Sequence, residues 1–342
     1  MDNLNRDNLR LRDYDYALPK NLIAQEPAKP RDSSRLMAVD TSNNIIRHLH
    51  FRDIAGFFKK DDVLVLNNTK VLPNRLYGKK KSGAPASVVV EEKSGKDYIC
   101  RVQANNPKIG SELIFQEGLS AVIKGRVKDR FFLRFNTNSL KSRLKKYGAL
   151  PTPAYIKSHL SDERLYQTIF AKKAGSLAAP TAGLHFTERI IKKLKEKGVI
   201  IVYVSLHISF GTFTPIDENK HISAHIMDKE LFEITKEAAQ IINNRKGRLA
   251  VCGTTSFKAL LSAADENGII KPQKKKSDLF IYPGHNFRIR PDMMITNFHL
   301  PKSTLLLFVS AFFGKDMLFL AYDEAIKNNY RFYSLGDAML LM

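Results

Sequence analysis

The run Ala178-Ala-Pro-Thr-Ala-Gly-Leu-His-Phe-Thr187 is made of small and polar residues, is punctuated by Pro180 and Gly183, and ends in a histidine before a helical pattern begins. Thr187 is placed to cap that helix, whose Ile190, Ile191 and Leu194 share one face until Gly198 ends it. A helix start of this kind leaves backbone N–H groups for an electronegative ligand atom. A structural reading stands beside it, in which Thr181, His185 and Thr187 only satisfy one another and the backbone. Working outward, three later stretches repeat the design. The apolar strand Val199 to Leu206 delivers His207-Ile-Ser-Phe-Gly-Thr-Phe-Thr-Pro215, and Leu249-Ala-Val-Cys252 ends in Gly253-Thr-Thr-Ser256 before Phe257, Leu260, Leu261 and Ala264 fall at helical spacing. After Ile295, the loop Thr296-Asn-Phe-His-Leu-Pro-Lys-Ser-Thr304 leads into the apolar helix Leu305 to Phe313.

Strand alternating with helix predicts an α/β layer architecture, and polar loops at the carboxyl ends of strands are where ligands of open α/β sheets bind. Four turns rich in Gly, Thr, Ser, His and Asn point to a polyhydroxylated, charged small molecule. None matches GxGxxG or a P-loop, which excludes a dinucleotide fingerprint and an ATPase.

Upstream, Leu36-Met-Ala-Val39 and Ile45 to Phe51 read as an antiparallel pair across Asn43-Asn44, Asp53 as the cap of a short helix, and Asp62 to Leu66 as a buried strand breaking into Asn67-Asn68-Thr69-Lys70. From about Ala86 the pattern changes to short alternating runs, Ser87 to Val90, Tyr98 to Val102, Leu113 to Phe115, Ala121 to Ile123 and Arg130 to Phe135, separated by turn signals. Five or six short strands at this spacing predict a small β-barrel. The expected organisation is a discontinuous α/β domain, residues 1–75 and 150–342, interrupted by an inserted β-barrel over 76–149.

Lys and Arg outnumber Asp and Glu by 55 to 34, a net charge of +21, so phosphate backbones and anionic surfaces are the partners to consider. The abundance of Lys, Asn and Ile is also what a biased genome produces without any binding role. Cys100 and Cys252 stand far apart without a CxxC pair, so no disulfide scaffold or structural zinc is expected and a reducing cytoplasm is the setting. The residues Met1 to Asp7 lack the apolar core of a secretory signal, and Leu305 to Phe313 is too short to cross a bilayer. His221 and His225 have metal-ligand spacing but no third ligand pattern, so no metal is expected. Ser256 and Ser303 lack a GxSxG elbow, against a serine hydrolase.

Six stretches then carry a family resemblance: Asn67-Asn-Thr-Lys-Val-Leu-Pro73, Ala178 to Thr187, Gly253 to Ser256, Leu279-Phe-Ile-Tyr-Pro-Gly284, Ile295 to Leu305, and Tyr330-Arg-Phe-Tyr-Ser-Leu-Gly-Asp-Ala-Met339. In this order they resemble the S-adenosylmethionine:tRNA ribosyltransferase-isomerases of queuosine biosynthesis, from about Tyr14 onward. The resemblance implies an α/β domain interrupted by a small β-barrel. It implies S-adenosylmethionine as a consumed ribosyl donor, and as partner a tRNA with a GUN anticodon carrying 7-aminomethyl-7-deazaguanine at the wobble position. Epoxyqueuosine-tRNA, adenine and methionine are the implied products, and a cytoplasmic monomer is expected. Two other readings remain at this stage, a non-catalytic RNA-binding protein and an S-adenosylmethionine-dependent RNA methyltransferase.

For such a reaction His185 is the first candidate for proton transfer, because imidazole titrates near working pH, with a merely structural histidine as the other reading. Glu230 is the second candidate, as a base or to offset the sulfonium; its other reading is a solvated strand-end carboxylate. Gly183, Gly211 and Gly253 would let the backbone approach the donor, while Thr181, Thr212, Thr254, Thr255 and Ser256 would bond its hydroxyls or carboxylate. Arg35, Lys70, Arg75, Lys258 and Lys302 are candidate RNA-phosphate contacts, and Asn68 or Asn297 would read the deazaguanine edge. The sequence departs from the family pattern at Ser209-Phe210 in place of Gly-Leu, at Thr214 and Lys258 in place of arginines, and at Asp228 in place of a second histidine. Lysine keeps the charge at 258 but loses the bidentate fork.

Overall fold

A computed structural model describes residues 9–153, 155–156, 162–213 and 215–342. In chain order the strands are β1 (Arg35–Asp40), β2 (Ile45–His50), β3 (Val63–Asn67), β4 (Thr69–Val71), β5 (Arg75–Lys80), β6 (Pro85–Ser94), β7 (Asp97–Ala104), β8 (Glu112–Ile114), β9 (Ser120–Val127), β10 (Arg130–Phe135), β11 (Lys173–Ser176), β12 (Ile200–Leu206), β13 (Glu230–Ile234), β14 (Leu249–Cys252), β15 (Gln273–Ser277), β16 (Met293–Asn297) and β17 (Ala338–Leu341). The α-helices are α1 (Leu140–Tyr147), α2 (Glu188–Glu196), α3 (Lys236–Asn243), α4 (Gly253–Ala263), α5 (Thr304–Phe313) and α6 (Lys315–Lys327). The chain divides into two compact units, residues 1–70 with 154–342, and residues 71–153.

The larger unit is built on a nine-stranded mixed sheet in the order β15-β13-β12-β3-β14-β16-β17-β1-β2. Its centre, β12-β3-β14-β16, is parallel. Central parallel strands are buried on both faces, which is why β3 reads as an unbroken apolar run. Alternate residues feed two cores. Val63, Val65, Leu249 and Val251 point to the face packed with α3, α4, α5 and α6, whereas Leu64, Leu66, Ala250 and Cys252 point to the face covered by α2 and the 3-10 helix Phe51–Phe57. Thr187 caps α2 by accepting the Ile190 N–H, and Thr235 caps α3 by accepting the Ala238 N–H.

Register brings several strand ends to one edge. The carboxyl ends of β3, β12, β14 and β16 lie there because they are parallel. The antiparallel pairing of Asn297 with Ala338 and of Leu206 with Phe232 adds the starts of β17 and β13, and β1, parallel to β17 with Leu36 opposite Ala338, adds Arg35. No single helix among the described residues is long and apolar enough to cross a membrane.

The smaller unit is a closed barrel, β10-β7-β6-β5-β8-β9, around Leu76, Val88, Cys100, Leu113, Ile123 and Leu133. Its sixth strand, β5, escaped the sequence reading because Arg-Leu-Tyr-Gly-Lys-Lys turns only Leu76 fully inward. Gly78 is required there, since a Cβ would stand 2.3 Å from the Ile114 carbonyl oxygen.

One local expectation changes, and one edge strand is new. Asp53 is not the cap of its helix; His50 is, and the Asp53 carboxylate accepts the His50 N–H from three residues inside. The lysine-rich Gln273–Ser277 forms the edge strand β15, where exposed lysines discourage further pairing.

Leu66 is wholly buried in the central strand. Leu66→Ala is expected to lower unfolding stability by about 2–5 kcal/mol, measured by urea denaturation.

Candidate functional site

A cavity of about 300 Å³ opens at this edge of the sheet, and all four polar turns contribute to it. Thr181 and Ala182 come from the first, Ile208 and Pro215 from the second, Gly253, Thr254 and Thr255 from the third, and Thr296 through Leu305 from the fourth. At the third turn β14 passes directly into α4, with Gly253 at φ +82 and no side-chain cap on the helix. Only a residue without a Cβ adopts that backbone freely. The Thr255 hydroxyl beside it is buried and has no hydrogen-bond partner among the described residues. At the fourth, Ser303 caps α5 by accepting the Leu306 N–H.

A hydrogen-bonded chain runs behind the cavity. His185 Nδ1 meets Ser34 Oγ at 2.8 Å, and its Nε2 meets Asn297 Nδ2 at 3.1 Å. The Asn297 amide also reaches the Asp337 carbonyl at 3.4 Å, and its Oδ1 accepts from Thr181 Oγ1 at 3.0 Å. The ring is buried and stacks on Phe51, with centroids 5.0 Å apart. Burial pushes the His185 pKa down to about 4, against a small upward pull from Asp337, so the imidazole is neutral at pH 7. Neutral imidazole has one donor and one acceptor nitrogen. Since the amide N–H is directed at Nε2, the proton resides on Nδ1 and is given to Ser34.

Glu230 and Lys258 are a buried pair, with carboxylate and ammonium 2.9 Å apart. The other carboxylate oxygen accepts the Ser209 N–H at 2.9 Å. Lys258 stands one turn beyond Thr254 on α4, so the pair ties that helix to the second turn. This corrects two expectations: Glu230 is not a solvated strand-end carboxylate, and Lys258 is not presented to RNA phosphates. Gly211 packs on the Asp228 carboxylate, where a Cβ would lie 2.3 Å from Oδ2. The departures Ser209, Asp228 and Lys258 are therefore gathered around the second turn, while Thr214 lies outside the described residues.

Of the residues singled out in the sequence, Thr181, Gly253, Thr254, Thr255, Asn297 and Lys302 line the cavity. His185 reaches it through Asn297. Gly183 faces Phe170 and Thr168, where a Cβ would stand 2.9 Å from the ring, and Ser256 bonds the Cys252 carbonyl within its own helix at 2.6 Å. Thr212 belongs to the 3-10 helix Phe210–Phe213. Lys302 pairs with Glu218 at 2.8 Å and Asp15 at 3.3 Å, and the Arg35 guanidinium lies 3.7 Å over the Tyr330 ring. Asn68 accepts from Ser205 Oγ at 2.7 Å and holds the bend after β3. Lys70 is exposed, and Arg75 is half-buried on β5 of the barrel unit.

Sequence reasoning passed over Tyr155, Tyr333, Ser334, Glu218 and His299, which also line the cavity. The stretch Tyr330 to Met339 was distinctive without suggesting a role for Tyr333. His221 Nδ1 bonds Ser223 and the His225 ring packs on Phe280; among the described residues no three His, Cys, Asp or Glu gather as a metal site.

A mixed α/β sheet whose edge carries a cavity of small-molecule size, with a separate six-stranded barrel, defines a two-unit protein of the α/β class. The family model described as "Queuosine biosynthesis protein" matches residues 11–341, and the chain belongs to that family. It is 42% identical, over 97% of its length and 100% of the relative's, to a Geotalea uraniireducens protein named S-adenosylmethionine:tRNA ribosyltransferase-isomerase. A protein of the same name from Sulfurihydrogenibium sp. is 42% identical over 98% of this chain and 100% of its own. The crystal structure of S-adenosylmethionine tRNA ribosyltransferase from Thermotoga maritima superposes with a TM-score of 0.55 at 35% identity, covering 96% of this chain and 100% of that one.

Lys258→Met removes the counter-charge of the buried Glu230 carboxylate and is expected to cost about 3–5 kcal/mol of unfolding free energy, while Lys258→Arg retains most of the stability; denaturant titration of both variants checks this.

The lowered His185 pKa also predicts a pH dependence. The unfolded imidazole binds a proton near pH 6.5, the folded one only near 4, so stability is full above pH 6.5 and falls by about 3 kcal/mol as the pH drops to 4. Burial lowers His299 in the same sense, to about 3. Between pH 6.5 and 4 the slope of unfolding free energy is expected to be smaller in His185→Gln than in the unaltered protein.

Proposed function

We infer that this chain is an S-adenosylmethionine:tRNA ribosyltransferase-isomerase. It transfers and isomerises the ribosyl moiety of S-adenosylmethionine onto 7-aminomethyl-7-deazaguanine at the tRNA wobble position, giving epoxyqueuosine-tRNA, adenine and methionine. The observation that carries this reading is the convergence of all four polar turns on one cavity in a chain 42% identical, end to end, to relatives of that name. Its substrates are tRNAs with GUN anticodons, and it works as a monomer in the cytoplasm.

The chemistry asks for a group that removes a ribose C5′ proton acidified by the sulfonium, a proton for departing adenine, and surroundings that do not repel a cation. The exocyclic amine then attacks the ribose-derived fragment, and rearrangement expels methionine as the epoxide forms. In this reading Thr254, Thr255 and the Gly253 backbone hold polar groups of the donor. Their support is the uncapped start of α4 and the unpartnered Thr255 hydroxyl. His185, expected from the sequence to transfer protons, acts in this reading as a positioning residue, because Ser34 and Asn297 engage both its ring nitrogens and it holds Asn297 and through it Thr181. Glu230 and Lys258 position the second turn against α4. Lys70 and Arg75 are the basic residues assigned to tRNA phosphates, and the excess of 55 Lys and Arg over 34 Asp and Glu supports a polyanionic partner.

Adenine release from S-adenosylmethionine, followed by chromatography with and without tRNA carrying 7-aminomethyl-7-deazaguanine, tests the reading. Release that requires the modified tRNA is expected. Bound tRNA without adenine release would instead leave a binding protein, and transfer of methyl label to RNA a methyltransferase.

A further inference from the structure

The lining of the cavity includes an aromatic pair. Tyr155 and Tyr333 both line it, their ring centroids 4.9 Å apart and their planes inclined at 60°. Tyr333 has φ +74, a backbone conformation costly for a bulky residue. It is held there from both sides, its N–H donating to the Phe298 carbonyl at 3.1 Å and its carbonyl accepting the Gly336 N–H at 3.0 Å. Strain of this kind persists where the surroundings over-determine it, and it concentrates at binding sites. The Tyr155 hydroxyl is bonded to Ser334 Oγ, which fixes the ring.

Thr181 and Asn297 line the same cavity, and the Tyr333 N–H on the Phe298 carbonyl sets Tyr333 beside the residue that follows Asn297. The hydrogen-bond chain behind them has a direction. Ser34 takes the His185 Nδ1 proton, His185 Nε2 takes an Asn297 amide proton, and Asn297 Oδ1 takes the Thr181 hydroxyl proton. With its only proton committed to Asn297, the Thr181 hydroxyl has lone pairs alone to offer and accepts from a ligand N–H. Tyr155, Thr181, Asn297, Phe298, Tyr333 and Ser334 are uncharged, and the charged lining residues Glu218 and Lys302 pair with each other. Among these six residues a carboxylate or an ammonium therefore finds no counter-charge, whereas a flat neutral heterocycle with an exocyclic amine matches them.

We propose that the adenine of the donor packs against Tyr333 and Tyr155 and donates its 6-amino proton to Thr181, which His185 and Asn297 hold in the accepting orientation. This deepens the ribosyl-transfer reading and rests on it for the identity of the base. It makes Tyr155 and Tyr333 binding residues, His185 and Asn297 positioning residues, and leaves the methionine part to the rest of the lining.

Equilibrium dialysis of radiolabelled adenine, and separately of radiolabelled methionine, against the whole protein tests this without turnover. Tyr333→Leu and Tyr155→Leu are each expected to weaken adenine binding about tenfold to a hundredfold, as loss of base–aromatic stacking does, with methionine binding unchanged. The second variant answers for the first should the strained position fail to fold. The unaltered protein is expected to prefer adenine to purine, which lacks the 6-amino group, and Thr181→Val to erase that preference. Loss of methionine binding with adenine retained, equal affinity for adenine and purine in the unaltered protein, or stronger binding of 7-aminomethyl-7-deazaguanine than of adenine would each overturn the assignment. Failure of the ribosyl-transfer reading is seen separately, as no adenine release with this binding pattern intact.

Discussion

The parallel ladder that joins β3 to β12 on one side and to β14 on the other is the constraint on which the remaining geometry depends. Parallel strands must each be followed by a return connection, so their carboxyl ends share an edge. Here those ends are Asn67, Leu206, Cys252 and Asn297. Both faces of the ladder are covered, by two cores fed by alternate residues of the same strands. A one-residue slip in register would exchange those cores and move every turn.

Behind the edge, buried polar groups are tied in pairs and chains. Glu230 with Lys258, and Ser34 through His185 and Asn297 to Thr181, are interior arrangements whose members lose a partner if any one is truncated. Their common effect is orientation. The ion pair joins α4 to the second turn, and the chain sets which atom Thr181 turns to the cavity. A neutral imidazole is what makes that direction unique, and burial is what keeps it neutral.

Much of this was legible in the chain. Small and polar residues set against apolar strands or helices marked the four turns, and short alternating runs marked the barrel. Thr187, Thr235 and Gly198 punctuate their helices as local chemistry requires. Strand β5 was not legible, because half of its residues are charged and its glycine answers to a carbonyl 36 residues away. Lys258 read as a surface cation because nothing nearby in sequence announces Glu230, 28 residues earlier, as its partner.

What the sequence by itself determined are properties carried by neighbours along the chain: where helices start and stop, which strands are buried on both faces, and that the turns are polar and tight. Tertiary structure alone decided that the four turns enclose one cavity, that His185 stands one residue back from it, that Glu230 and Lys258 neutralise each other, and that Tyr155 meets Tyr333. The physical reason is range. Capping and periodicity act within a turn or two of chain, whereas burial, ion pairing and ring contact are set by residues brought together only when the sheet closes its register.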